Sequence, residues 1–104
     1  MIVTIVTFHL PRQATLAEIT KTFQATAPKY QGIPGLLRKN YWMSEDGQRA
    51  GGIYVWKTRV DADRVYTPEW KKFVEGKYGS PPTIEYLHSP VMVDNRDGTI
   101  SVAA

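Results

Sequence analysis

The sequence has no cysteine and only two histidines, and both shortages narrow the chemistry available to the protein. Without cysteine there are no disulfides, no thiolate nucleophiles and no cysteine-ligated zinc or iron–sulfur sites. His9 and His88 are far apart and form neither an HxH nor an HxxxH pair, so the sequence predicts no metal site. The GxGxxG, Walker A and GxSxG motifs are also missing, which argues against dinucleotide-binding, phosphate-loop and serine-hydrolase functions.

Long apolar runs and a strong charge of one sign are missing as well. No stretch approaches the roughly 20 apolar residues of a membrane span, and Met1 is followed by a strand-like segment rather than by a signal peptide. The net charge is +3, and the basic residues are scattered instead of clustered as on nucleic-acid-binding surfaces. These features predict a cytoplasmic protein whose partners include neither a membrane nor a nucleic acid.

The sequence does contain a pattern of strands and helices that suits one domain over residues 1–104. The predicted elements are a strand over 2–8, a helix after the Thr15/Glu18 capping box, hairpin strands over 36–44 and 49–56, a helical region from Thr58 interrupted at Pro68, and a last strand over 83–93. A turn over 95–98 and a short strand over 99–102 follow. This βαββαβ order predicts an α+β, ferredoxin-like fold with a four-stranded antiparallel sheet and both helical regions on one face.

Both faces of this sheet are predicted to be apolar, which indicates an assembly. A sheet with one face in water should alternate apolar and polar residues more cleanly. A second copy covering the second face would give a two-fold homodimer, and the extension over 94–104 would cross that dimer or lie loose. In the first strand, Val3 and Ile5 would lie on one face and Val6 and Phe8 on the other. In the second strand, one face would carry Leu37, Tyr41 and Met43, and the other would carry Leu36 and Trp42.

One stretch resembles a known family. The run Ala-Gly-Gly-Ile-Tyr-Val-Trp over 50–56 follows Ile-Pro-Gly-Leu over 33–36 and a strand that carries Trp42. In this order, over roughly residues 2–94, the sequence resembles the YdhR-like monooxygenases of the dimeric α+β barrel superfamily, which are related to the antibiotic-biosynthesis monooxygenases. The resemblance implies a ferredoxin-like protomer, a homodimer with facing sheets, and an oxygenase for aromatic or polyketide-like compounds that needs no metal, flavin or haem.

Aromatic residues are the candidates for a ligand pocket. A pocket between the sheet and the helices would suit a flat apolar ligand. The same rings could instead fill the core and the dimer interface. The substrate-binding candidates are Trp42, Tyr54, Trp56, Trp70 and Tyr86.

Asn40 and His88 are the catalytic candidates. In a cofactor-free oxygenase the protein must help to deprotonate a phenol and then stabilise the anion. Asn40 should share one face of the second strand with Trp42 and orient a ligand oxygen, while His88 should share a face with Tyr86 and shuttle a proton. A lone histidine in a strand can equally be a structural or surface residue.

The leading hypothesis is therefore a homodimeric, cofactor-independent monooxygenase that acts on a small aromatic or polyketide-like compound. One alternative is a module for small-molecule binding or stress responses that catalyses nothing. Another is a non-oxygenase enzyme of the same fold, such as an isomerase or a lyase, which would turn over its substrate without oxygen.

Overall fold

The computed structural model describes residues 1–103, and within them the predicted order of elements is confirmed. The strands and helices are β1 (Ile2–His9), α1 (Leu16–Thr26), β2 (Leu36–Met43), β3 (Arg49–Trp56), α2 (Arg59–Val65), α3 (Pro68–Tyr78), β4 (Thr83–His88), β5 (Val91–Asp94) and β6 (Thr99–Val102), with a 3-10 turn at Ala27–Tyr30 after α1. None of the helices in this range is long and apolar enough to cross a membrane.

Four strands form an antiparallel sheet in the order β2-β3-β1-β4. This is the ferredoxin-like arrangement that the sequence predicts. The helices cover one face, which we call the inner face, and the core lies between that face and the helices. The other face of the sheet is called the outer face.

The helices begin where the sequence indicates. Thr15 and Glu18 form the predicted capping box: the Thr15 hydroxyl accepts from the Glu18 N–H, and a Glu18 carboxylate oxygen accepts from the Thr15 N–H. Thr67 caps α3, and Pro68 occupies its first turn, where a missing N–H costs nothing. The break at Pro68 therefore divides the second helical region into two helices.

Two predictions about the strands are wrong. Strand β2 has a bulge at Leu37, because Leu36 pairs with Trp56 while Arg38 pairs with the preceding Val55. The bulge turns Leu36 toward the core and leaves Leu37 about half exposed, the reverse of the predicted sides. The last predicted strand is also two strands, since β4 ends at His88.

Strands β5 and β6 form a separate two-stranded hairpin after this break. The predicted turn over 95–98 closes it. Its paired residues Val91 and Val102, and Val93 and Ile100, share one face, and all four are more than half exposed. The C-terminal extension thus carries an uncovered apolar face of its own.

The centre of the core combines a large ring with a satisfied polar group. Trp56 and Thr4 are both fully buried on the inner face. Trp56 Nε1 donates to Thr4 Oγ1 over 2.9 Å, and Thr4 Oγ1 lies 2.6 Å from the hydroxyl of Tyr66 at the end of α2. This network ties β1, β3 and the helices together, and each of its three buried polar atoms has a hydrogen-bond partner.

Candidate functional site

A small cavity lies between the inner face and the helices. Its volume is about 20 Å³, enough for roughly one water molecule. Its walls are mostly aromatic, and they come from β1, β2, β3, α3 and the end of α1. The lining residues on which the site depends are Tyr30, Lys39, Tyr41, Tyr54, Trp70 and Tyr78.

Among residues 1–103, Lys39 is the one charged residue that lines the cavity. It points inward from β2, since it pairs with the inward-facing Tyr54 and lies two residues before Tyr41 on the same face of the strand. Its Nζ lies 3.2 Å from the ring centre of Tyr30, 3.8 Å from that of Tyr41 and 4.6 Å from that of Tyr54. The amine is therefore held in a cage of three aromatic rings.

The glycine pair of β3 makes room for this arrangement. A Cβ on Gly52 would lie 2.8 Å from the Tyr54 ring and 3.1 Å from the Lys39 side chain. A Cβ on Gly51 would overlap the Val6 carbonyl oxygen and stand 3.1 Å from the Trp42 ring on the outer face. The Ala-Gly-Gly-Ile-Tyr run that carries the family resemblance thus shapes the wall of the cavity.

Two opposing influences act on the charge of Lys39. The π faces around Nζ favour the ammonium form, whereas burial favours the neutral amine and lowers the pKa of Lys39 to about 7. No carboxylate of residues 1–103 forms an ion pair with it. Both protonation states of this amine are thus accessible near neutral pH.

The cavity adjoins a larger surface groove. The groove has a volume of about 310 Å³, which reaches the size range of small-molecule pockets. Tyr30, Lys39 and Tyr41 line both the groove and the cavity. These three side chains form the partition between the groove and the interior.

The structure brings only some of the sequence-predicted substrate residues to the cavity. Tyr54 and Trp70 line it, and Trp70 Nε1 donates to the Tyr30 hydroxyl over 3.0 Å. Trp56 is on the same face but is closed into the core behind Tyr54, with parallel rings 5.7 Å apart. Tyr86 lies farther along, under the guanidinium of Arg59, 3.6 Å from its ring centre.

The remaining predicted residues lie elsewhere. Asn40 and Trp42 share a face, as expected, but it is the outer one, where Asn40 Oδ1 accepts from Arg38 Nε over 3.1 Å. His88 is exposed at the end of β4, opposite Ile2, on the inner face. The single chain therefore does not bring Asn40 and His88 together, and their catalytic roles stay predictions.

Lys39 is not among the sequence-predicted site residues, although the alternation of inward and outward residues in β2 points to it. The alternation that turns Tyr41 and Met43 inward also turns Lys39 inward. A lysine at an inward position among aromatic residues is unusual, because burial of an unpaired charge is costly. An inward lysine in a strand is thus a marker of a functional group.

Metal ligands are not gathered anywhere in residues 1–103: no group of three or more histidine, aspartate or glutamate side chains is placed to hold an ion.

Solved structures with this arrangement define the class of fold. The monooxygenase ActVA-Orf6 of Streptomyces coelicolor, solved with nanaomycin D, is similar with a TM-score of 0.64 at 19% identity, over 85% of this chain and 86% of that chain. SnoaB, a cofactor-independent oxygenase from Streptomyces nogalater, has a TM-score of 0.62 at 18% identity, over 85% and 91% of the two chains. An antibiotic biosynthesis monooxygenase has a TM-score of 0.63 at 14% identity, over 86% and 98%. The fold is that of the antibiotic-biosynthesis monooxygenases.

The family follows from the sequence itself. This chain belongs to the family described as "Putative mono-oxygenase ydhR", whose profile matches residues 5–77. The match runs from β1 into the last turn of α3 and includes Lys39, both glycines of β3 and Trp70. It confirms the family resemblance. No protein of curated function matches the chain.

Proposed function

We propose that the protein is a cofactor-independent monooxygenase for a small aromatic or polyketide-like compound, bound where the groove meets the cavity. A methylene flanked by aromatic rings would be converted to a ketone. One oxygen atom of O₂ enters the product, and the other leaves as water with the two methylene hydrogens. The substrate supplies the electrons, so atoms and electrons balance without a further reductant.

Membership of the mono-oxygenase family carries this proposal. The site adds two kinds of support. The groove has room for a small molecule and presents the rings of Tyr30 and Tyr41 at its boundary with the cavity, which suits a planar ligand, and Lys39 offers a group that can change its protonation state. Two similar folds are also described as a monooxygenase solved with nanaomycin D and as a cofactor-independent oxygenase.

Oxygen uptake with 1,8-dihydroxyanthrone as the substrate tests the proposal. Chelator-treated protein should consume one O₂ for each anthraquinone formed, measured with an oxygen electrode and by absorbance. Replacement of Trp70 by leucine, which removes a ring from the cavity wall, should lower kcat/KM about three- to tenfold. The matched change Tyr86→Leu, outside the cavity, should lower it less. A panel of planar phenols that yields no uptake above the uncatalysed rate would refute the proposal.

A second copy of the chain is the proposed occupant of the outer face. Apolar side chains there include Ile53 and Leu87, each about 40% exposed. The β5–β6 hairpin carries a second exposed apolar face. Exposed apolar surface of this extent is typical of protein interfaces. We propose that the dimer is cytoplasmic, because a chain without cysteine has no disulfide that a reducing compartment would prevent from forming.

A charge on the hairpin should weaken this dimer. Val93→Glu places a carboxylate on the apolar face, and burying it unpaired in the interface costs several kcal/mol. We expect the variant to sediment as a monomer at concentrations where the native protein is a dimer. Val60→Glu is the control, because Val60 is an equally exposed valine in the helix layer. Equal dimerisation of Val93→Glu and the native protein would exclude the hairpin from the interface.

A further inference from the structure

We propose that Lys39 is the base of this site: its neutral amine removes the hydroxyl proton of a bound planar phenol, and the resulting ammonium stays paired with the phenolate. The inference deepens the proposed function and rests on it, since it names the residue that acts and the class of substrate it acts on. In this step the O–H bond of the phenol breaks and an N–H bond forms at Nζ. The phenol oxygen keeps the electron pair.

Lys39 is placed to accept a proton in a way that a surface lysine is not. Its amine is caged by aromatic rings and lacks an acidic partner among residues 1–103 that would hold it as an ammonium. Burial therefore shifts it toward the neutral form, with a pKa of about 7. A base is most effective when its pKa is close to the working pH.

The other titratable groups that line the cavity with Lys39 are all tyrosines. They come from each of the elements packed around it: Tyr30 before β2, Tyr41 on β2, Tyr54 on β3 and Tyr78 on α3. Burial raises the pKa of Tyr41, Tyr54 and Tyr78, so these hydroxyls stay neutral. Unlike these three tyrosines, Lys39 can change its charge near neutral pH.

The surroundings also select the substrate class. A ring that enters from the groove meets Lys39 together with Tyr30 and Tyr41, because these three residues line both the groove and the cavity. Once a phenol is ionised there, the ammonium is the countercharge for the phenolate, and the tyrosine faces stabilise that ammonium. A planar compound with an acidic hydroxyl therefore gains more from this site than a neutral hydrocarbon of the same shape.

Anaerobic titration with 1-naphthol tests the proton transfer apart from any oxidation. Naphthol and naphtholate have different absorbance spectra, so the apparent pKa of the bound probe can be read directly. We expect the native protein to lower it by at least about one unit, which is tenfold more naphtholate at a given pH. Lys39→Met keeps an apolar chain of similar length and should abolish the shift, whereas the exposed control Lys57→Met should retain it. Naphthol that stays un-ionised on the native protein, fails to bind at millimolar concentration, or ionises equally on Lys39→Met would overturn the inference.

A proton count separates a base from a resident cation. At pH 8 the native protein should form naphtholate without releasing a proton to the buffer, because Lys39 takes it up. Lys39→Arg carries a permanent charge and cannot take up a proton, so any naphtholate it forms should release one proton. Release of one proton by the native protein would show that Lys39 is only a fixed positive charge.

The two proposals can fail separately. Naphtholate formation that depends on Lys39, together with no oxygen uptake by any phenol, would sustain the base and refute the oxygenase. Oxygen uptake that is unchanged in Lys39→Met would sustain the oxygenase and refute the base.

Discussion

Trp56→Ala should lower the free energy of unfolding by about 3–5 kcal/mol, the range for removal of a large buried ring. Trp56 is fully buried, its ring lies parallel to that of Tyr54, and its Nε1 donates to Thr4. The substitution removes all three contributions and leaves a cavity in the centre of the core. Small domains have only about 5–15 kcal/mol of stability in total, so the substitution should remove a large part of the stability of the protein.

Urea denaturation followed by circular dichroism measures the loss. Trp56→Phe retains a ring but no donor, and it should lie between the native protein and the alanine variant. Val60→Ala changes an exposed side chain in the helix layer and should shift stability by less than about 0.5 kcal/mol. A Trp56→Ala variant as stable as Val60→Ala would mean that Trp56 does not anchor the core.

Gly51→Ala should destabilise the protein by at least about 2 kcal/mol although it adds only a methyl group. The new Cβ would overlap the Val6 carbonyl oxygen, which belongs to the backbone of β1 and cannot rotate away. Relief requires β1 and β3 to move apart where Thr7 pairs with Gly51 in the centre of the sheet. Overpacking in a well-packed region typically costs 1–3 kcal/mol.

Gly76→Ala makes the same chemical change in a different setting. Gly76 lies within α3, and an added Cβ there meets nothing within 4 Å. Alanine is the better helix former, so this variant should gain about 0.5–1 kcal/mol. Midpoints of thermal unfolding should therefore move in opposite directions for the two variants, and a shift of both in the same direction would contradict the packing described for Gly51.

The fold could be predicted from the sequence because its indicators are local. The capping box at Thr15 and Glu18, the Asp46-Gly47 turn and Pro68 each mark a boundary through short-range chemistry. The bulge at Leu37 could not be predicted, since nothing in the residues 36–38 distinguishes two-against-one pairing from regular pairing. The turn of the hairpin at 91–102 can be predicted because its indicators are local. The separation of this hairpin from the main sheet depends on long-range strand pairing, which the sequence does not show.

The candidate site was less predictable because it depends on which face each strand turns inward. Tyr54 and Trp70 line the cavity, while Asn40 and Trp42 lie across the sheet from it. A shift of one residue decides which side chains face inward. Both faces carry aromatic residues, so the sequence does not show which face lines the cavity. Lys39 stood beside Asn40 in the same strand and had the opposite orientation.

The glycine pair of β3 makes room on both faces of the sheet. Gly51 leaves space for Trp42 on the outer face, and Gly52 leaves space for Lys39 and Tyr54 on the inner face. A larger residue at Gly51 would therefore press on β1 and Trp42, and one at Gly52 would press on the Lys39 cage. The helix layer leaves more freedom, since a substitution at Phe73 would change the wall of the cavity without altering the pairing of the strands.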